Sequence, residues 1–177
     1  PVWTSLTEEI VEKLFPIGKV TKASGLKGEV HVSPLCRYFE DYSEEPTLFL
    51  GFSNESALEM KLKKSAPAGK KRRIQFEGVQ SRTEAEALVG QQVFATASDD
   101  DPISLVSPDL IGYEIMTDSG EFVGKLKEIL WLPANDVYAI DKDGHEFLIP
   151  VIDEIVECVV HEHAKIIIRP VEGLMEV

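Results

Sequence analysis

The side chains best suited to metal chemistry lie close together near the end of the chain, at Cys158, His161 and His163. On a strand, His161 and His163 would share a face and could bind zinc, with Cys158 or Glu157 as a third ligand. The alternative is that they are exposed side chains of a loop before the last strand. We expect the loop, and therefore predict neither a metal site nor a cofactor.

Catalytic motifs are missing from the sequence. It contains no Gly-x-Ser-x-Gly, His-Glu-x-x-His, Cys-x-x-Cys or dinucleotide-binding pattern, and no phosphate-binding loop of the Gly-x-x-x-x-Gly-Lys-[Ser/Thr] type. These patterns place nucleophiles, metals or phosphates, so the sequence predicts a protein that is not an enzyme.

Cations are concentrated in one part of the first half. Seven lie within thirteen residues: Lys61, Lys63, Lys64, Lys70, Lys71, Arg72 and Arg73. If a turn at residues 65–69 joins two strands, Lys61, Lys63, Lys71 and Arg73 would line one face of a hairpin and could follow the phosphate backbone of an RNA. The alternative is a solvated charged face without a ligand.

Net charge divides the chain into two unequal parts. Residues 1–98 hold thirteen Lys/Arg and thirteen Asp/Glu, whereas residues 99–177 hold five and eighteen, so the second part carries the whole net charge of −13. RNA affinity requires clustered cations. The second part therefore suits a basic protein partner, unless its acidity serves solubility alone.

The elements that position these groups begin with a turn at Gly25, Leu26, Lys27 and Gly28. Glycine adopts positive φ without steric cost, so the pair predicts a tight turn in which the backbone approaches another segment. The spacing also matches the GXXG loop of KH domains. That module needs a helix on each side, and the alternation after Gly28 indicates a strand with Val30 and Val32 on one face.

Short alternating runs separated by turn residues predict an all-β protein. In the first half, strands are predicted over residues 15–22, 29–34, 47–52, 58–64, 73–77 and 92–95. A helix over residues 83–89 would begin at Ser81 or at residues 82–83, with Thr83 and Glu86 as a capping box and Gly90 as its end. Its Ala85 and Leu88 would face a barrel.

A polar stretch over residues 97–102 predicts a linker, and more strands follow it. These are expected over residues 112–117, 121–131, 136–141, 146–150 and 165–169, while residues 151–160 suit either a helix or a strand. Two orientations are open for the apolar run around Trp131. Either Leu130 and Leu132 are buried with Trp131 outward as an interface anchor beside Pro133, or the reverse.

The composition is 44% hydrophobic, without an apolar run long enough to span a membrane and without the features of a signal peptide at the start. We therefore expect a cytoplasmic monomer. Cys36 and Cys158 are far apart in sequence and are expected to remain reduced thiols.

Several motifs in order along the chain resemble the RimM family of ribosome maturation factors. They are residues 17–20 (IGKV), 25–32 (GLKGEVHV), 82–90 (RTEAEALVG), 109–112 (DLIG), 134–137 (ANDV), 148–150 (LIP) and 170–174 (PVEGL). The sequence departs from the usual pattern of the family in two places. Ser24 replaces a histidine, and Leu105 and Val106 replace an aromatic pair.

The resemblance implies a fold of two small β-barrel domains. After an extension at residues 1–12, a six-stranded barrel with a short helix, similar to the second domain of translation GTPases, would occupy residues 13–98. A linker at residues 99–108 would lead to a PRC-barrel at residues 109–177.

The resemblance also implies a function. The chain would be a non-catalytic accessory factor for assembly of the small (30S) ribosomal subunit, binding the small-subunit ribosomal protein number nineteen of the head and supporting 16S rRNA processing. The expected partner-binding residues are Gly25, Leu26, Lys27, Gly28, Leu105, Val106, Trp131, Pro133, Asn135 and Asp136. Contact with 16S rRNA is expected from Lys61, Lys63, Lys71 and Arg73.

Overall fold

The computed structural model describes residues 12–170, and the chain divides into two compact units, Pro1–Ser104 and Leu105–Val177. Each is built almost entirely of strands, which confirms the all-β prediction. Nearly all of the predicted N-terminal extension and residues 171–174 of the closing motif lie outside the described residues. No helix in the described part of the chain is long and apolar enough to cross a membrane.

The first unit is a closed barrel of six antiparallel strands in the order β1-β2-β5-β4-β3-β6. The strands are β1 (Glu12–Ser24), β2 (Glu29–Pro34), β3 (Thr47–Gly51), β4 (Leu58–Ala68), β5 (Lys71–Phe76) and β6 (Gln92–Ser98). Alternate residues point inward, among them the fully buried Val30, Val32, Leu48 and Ile74. Each such side chain contributes on the order of 2 kcal/mol by leaving water.

The basic hairpin differs from its prediction. Its turn lies at residues 69–70 instead of 65–69, because β4 runs on through Pro67 to Ala68. A proline is acceptable there because β3 pairs only with the first part of β4, from Leu58 to Lys61, so the strand is an edge at Pro67. The register also shifts between Leu62 and Lys64.

Two short helices accompany the barrel, α1 (Phe39–Tyr42) and α2 (Arg82–Glu86). The capping box of α2 lies two residues earlier than predicted. The Glu84 backbone N–H donates to Ser81 Oγ (3.1 Å), and the Gln80 N–H donates to Glu84 Oε1 (2.9 Å). Ala85 is buried, as expected, and Gly90 has φ +95° beyond the helix.

The chain passes from the first unit to the second without the extended polar linker that residues 97–102 predict. Ala97 and Ser98 belong to β6 and are buried, and the Ser98 N–H donates to Asp101 Oδ2 (2.8 Å). A 3-10 helix, Pro102–Val106, follows and buries Ile103. Another forms at Pro108–Leu110.

The second unit contains a six-stranded sheet in the order β10-β9-β8-β7-β12-β11, in which only the β12–β7 pair is parallel. Its strands are β7 (Glu114–Thr117), β8 (Phe122–Trp131), β9 (Asp136–Lys142), β10 (His145–Pro150), β11 (Val156–Val160) and β12 (Lys165–Ile168). The ambiguous residues 151–160 therefore end in a strand, β11. The core includes Leu126, Tyr138, Ile140, Ile149 and Ile166.

Candidate functional site

The glycine turn between β1 and β2 approaches the backbone of another segment, as predicted. Gly25 and Gly28 have φ of +70° and +104°. A Cβ on Gly28 would lie 2.2 Å from the carbonyl oxygen of Val79, whereas one on Gly25 would have no atom within 4 Å. Glycine is therefore required at position 28 for packing, and at position 25 only for its backbone conformation.

Hydrogen bonds attach this turn to the loop that precedes α2. The Gln75 side-chain amide donates to the carbonyl oxygens of Lys27 (2.8 Å) and Val79 (2.9 Å). Arg82 Nη1 donates to the carbonyl oxygen of Gly25 (2.9 Å). The turn is thus held in one position with the Leu26 side chain 78% exposed at its surface.

Positive charge collects on the outer face of β1, β2 and β5. Lys22 is opposite His31, and His31 is opposite Arg73, so the three side chains form one row across three strands. Lys71 lies two residues before Arg73 on the same face, and its Nζ donates to Thr21 Oγ1 (3.3 Å). We call Lys22, His31, Lys71 and Arg73 the cationic face.

The pKa of His31 is lowered from its ordinary value of 6.5. Burial is the largest cause, followed by the positive charges of Lys22, Lys71 and Arg73, while Glu29 acts in the opposite direction. His31 is therefore mainly neutral at neutral pH. Each of the three cations lies close enough to its imidazole to lower its pKa.

The four cations predicted to share one face of the hairpin are not brought together. Lys61 faces Thr47 on the strand pair β3–β4 and forms an ion pair with Glu59 (3.3 Å). Lys63 lies at the register shift in β4. Lys71 and Arg73 pair with Ala68 and Ala66, several residues further along β4, so they lie at the other end of the hairpin.

Arg72, in the middle of the basic run, has a structural role. Its side chain is 3% exposed, and it donates to Ser65 Oγ (2.8 Å), to Glu40 Oε1 (2.5 Å) and to Glu44 Oε2 (2.7 Å). It points to the opposite side of the sheet from Lys71 and Arg73, as strand alternation requires. It is therefore not available to a ligand.

In the second unit, the connection between β8 and β9 exposes apolar side chains. Trp131 is 48% exposed and Leu132 is 44% exposed, with Pro133 and Asn135 exposed beside them. The prediction that one of Trp131 and Leu132 is buried is wrong, because the strand ends at Trp131 and alternation stops there. Asp136, expected at a partner contact, is buried.

An apolar strip continues from this connection along the sheet. Leu130, Val137 and Pro150 are paired across β8, β9 and β10, on the face opposite the buried Tyr138 and Ile149. The next row on that face contains Glu128 and the partly exposed Leu148, on either side of Ala139. We call Trp131, Leu132, Pro133, Leu130 and Leu148 the apolar tip.

Leu105 and Val106 are half-buried. Leu105 packs against the core of the second unit, and its carbonyl oxygen accepts a hydrogen bond from the Tyr138 hydroxyl (2.5 Å). Much of the Leu105 side chain therefore packs inside the second unit.

The cysteine and histidines at the end of the chain are not on a common strand face. Cys158 is exposed on β11, whereas His161 and His163 belong to a short 3-10 helix that ends at Ala164 with φ +53°. His161 Nδ1 is 3.2 Å from the Tyr113 hydroxyl. Between residues 12 and 170, no group of three His, Cys, Asp or Glu side chains is arranged to hold a metal ion.

Sequence reasoning missed two members of the cationic face, Lys22 and His31. The tight turn at residues 25–28 contains enough information to pair Lys22 with His31 across the hairpin. The pairing of His31 with Arg73 joins strands about forty residues apart in sequence, and local patterns do not encode it.

A closed six-stranded antiparallel barrel followed by a second, mainly antiparallel sheet places the chain in the class of two-domain all-β proteins. The family model of the RimM N-terminal domain matches residues 15–100, and that of the RimM PRC barrel domain matches residues 107–174.

Curated relatives match over most of their length. The ribosome maturation factor RimM of Chlorobium luteolum is 37% identical over 148 residues, covering 82% of this chain and 89% of the relative. That of Clostridioides difficile is 32% identical over 173 residues, covering 93% and 99%. The crystal structure of a 16S ribosomal RNA processing protein RimM from Pseudomonas aeruginosa is 20% identical, with a TM-score of 0.45, over 90% of this chain and 98% of that chain. The chain belongs to the RimM family.

Proposed function

We propose that this protein is a non-catalytic accessory factor for assembly of the small (30S) ribosomal subunit. It binds the small-subunit ribosomal protein number nineteen of the head and thereby supports 16S rRNA processing. We expect it to act as a monomer in the cytoplasm, where ribosomal subunits are assembled. Membership of the RimM family supports the general role, and the charge and shape of the two units support the division of labour between them.

The observation that carries the proposal is the acidity of the second unit. Leu105–Val177 holds fifteen Asp/Glu and five Lys/Arg. Such a surface repels a phosphate backbone and attracts a basic protein, with faster association as a result. Charge alone gives little specificity, so a defined contact is also needed.

The apolar tip supplies that contact. Large exposed side chains cost free energy in water, and a tryptophan beside a proline is the kind of anchor that dominates protein interfaces. Trp131 and Leu132 are adjacent in sequence and both nearly half exposed, whereas most large apolar side chains of this unit form its core. We place the ribosomal protein on the apolar tip, with acidic side chains such as Glu128 at the rim.

The first unit holds the RNA or protein next to that partner. Its surface offers Leu26 and Lys27 on a turn fixed by Gln75 and Arg82. A fixed turn loses little conformational entropy on binding. The mechanism is chaperoning, in which the protein holds a basic protein and its rRNA segment in a productive arrangement and then leaves the mature particle.

Isothermal titration calorimetry of the full chain with purified ribosomal protein number nineteen tests the proposal. We expect saturable binding with one site, together with a negative heat-capacity change from burial of the apolar tip. A second basic ribosomal protein of similar charge is the control. Equal binding of both proteins, abolished by moderate salt, would show that only non-specific charge attraction is present.

A further inference from the structure

We propose that the cationic face is a binding site for the sugar-phosphate backbone of RNA. The site comprises Lys22, Lys71 and Arg73 around His31, on the outer side of β1, β2 and β5. This inference deepens the proposed function, on which it rests for the identity of the RNA as a segment of 16S rRNA. It assigns the RNA contact to one face of the first unit. Of the seven cations between residues 61 and 73, it includes only Lys71 and Arg73 in that contact.

The fold collects these residues from three separate segments. The register pairs Lys22 with His31 and His31 with Arg73, and Arg73 with Ala66 on β4. Adjacent strands are about 4.8 Å apart, so the cationic ends form a row that crosses the sheet. Long lysine and arginine side chains on such a row can reach successive phosphates of one strand.

The pairing of charges separates this face from several of the other cations in the unit. Lys61, Lys64, Arg72 and Arg82 each form an ion pair with a glutamate. By contrast, across residues 12–170 no carboxylate lies within ion-pairing distance of Lys22, Lys71 or Arg73. Glu29, the acidic residue nearest His31 in sequence, is paired with Lys64 (3.1 Å). Lys22, Lys71 and Arg73 therefore repel one another, and none of the three has an ion-pair partner among the described residues, which favours an anionic ligand.

The neighbours on this face point to backbone contact instead of base stacking. Ala66 and Ala68 are beside Arg73 and Lys71, and Ser33 precedes the end of β2. Small side chains allow a phosphate backbone to approach the sheet closely. Single-stranded RNA sites instead present aromatic platforms, and these rows contain no Phe, Tyr or Trp.

His31 strengthens the case because it can respond to the ligand. Burial and the three surrounding cations keep the imidazole mainly neutral in the free protein. A bound phosphate offsets those positive charges and favours protonation, which adds a further charge to the site. RNA binding to this face is therefore expected to take up a proton and to tighten as the pH is lowered toward 6.5.

Fluorescence anisotropy of a short labelled RNA duplex with the full chain tests the inference. The slope of log K against log salt is measured for the wild type, for Arg73→Ala and for Lys61→Ala, a control that removes the same charge from the same hairpin. We expect Arg73→Ala to reduce the magnitude of the slope by about one unit and to weaken binding, and Lys61→Ala to change neither. Labelled polyglutamate, which is anionic but lacks phosphate, should not bind.

Three outcomes would overturn the inference: no binding of RNA at low salt, equal losses from Arg73→Ala and Lys61→Ala, or binding of polyglutamate as tight as that of RNA. The test is separable from that of the proposed function. Arg73→Ala should still bind the ribosomal protein in the calorimeter. RNA binding on the cationic face without any affinity for that protein would refute the proposed function alone.

Discussion

The carbonyl oxygen of Val79 lies where a side chain on Gly28 would begin, 2.2 Å from the Cβ position. This contact links the β1–β2 turn to the loop before α2, and the Gln75 amide bridges the same two segments. The main role of the glycine turn is therefore to allow close packing against the loop before α2. This packing holds Leu26 and Lys27 in a fixed position at the surface.

Replacement of Gly28 by alanine should destabilise the first unit. The new methyl group meets a backbone atom, and the φ of +104° is unfavourable for any side chain. We expect a loss of about 3 kcal/mol in the free energy of unfolding. Gly25→Ala is the control, because its surroundings are open and only the left-handed conformation costs about 1 kcal/mol. Urea denaturation measures both, and equal losses would contradict the packing role.

Glu40 and Glu44 should stabilise the first unit through Arg72. In the double variant Glu40→Gln, Glu44→Gln, a guanidinium group that is 3% exposed loses its counter-charges. The carboxylates themselves are 64% and 69% exposed, so we expect roughly 1–3 kcal/mol, less than for a fully buried pair. Glu59→Gln, which breaks the exposed pair with Lys61, should cost below about 0.5 kcal/mol. Thermal unfolding compares the double variant with Glu59→Gln. Equal melting temperatures of these two variants would contradict a stabilising role for the carboxylates around Arg72.

His31 should make the protein less stable in mild acid. Its pKa is lowered in the folded state, so the unfolded chain binds the proton more readily. Its stabilising contribution is fully present above pH 6.5 and is lost as the pH falls through the folded pKa. When the pH is lowered from above 6.5 to below 6.5, the free energy of unfolding should fall less for the variant His31→Gln than for the wild type. An NMR titration gives the pKa directly, and a value above 6.5 without ligand would refute this account.

The same NMR titration in the presence of RNA tests proton uptake. We expect the pKa of His31 to rise when RNA binds, because phosphates offset the charges of Lys22, Lys71 and Arg73. An unchanged His31 in a saturated complex would show that RNA does not bind on this face.

Trp131→Ala should weaken binding of the ribosomal protein. Loss of an interface anchor typically costs about 2 kcal/mol or more, which is a factor of roughly thirty in affinity. Phe122→Ala is the matched control, since it removes a partly exposed aromatic ring from the same unit outside the apolar tip. Calorimetry should show unchanged affinity for the control, and equal effects would mean that the tip is not the interface.

Local patterns in the sequence predicted most strands, because turn residues and alternation are encoded within a few positions. Ser81, one of the two helix starts that the sequence offers, is the N-cap of α2. The capping box was misplaced because Thr83 and Glu86 have the same spacing as Ser81 and Glu84, and only the observed hydrogen bonds choose between them. The hairpin turn was misplaced because Pro67 indicates a turn unless the strand is known to be at an edge.

The composition of the candidate sites was harder to predict than the fold. Trp131 is exposed because β8 ends at this residue. Arg72 is buried because its side chain points to the side of the sheet where Glu40 and Glu44 cover it. The cationic face depends on the pairing of β2 with β5, which is a property of barrel closure. Sequence reasoning found its Lys71 and Arg73 but grouped them with Lys61 and Lys63.

Sedimentation of the purified protein with separated small subunits, large subunits and whole ribosomes at moderate salt tests the central claim most directly. We predict selective association with free small subunits, which Trp131→Ala weakens and Phe122→Ala does not. Association with none of the particles, or equal association with all three, would contradict a role in assembly of the small subunit.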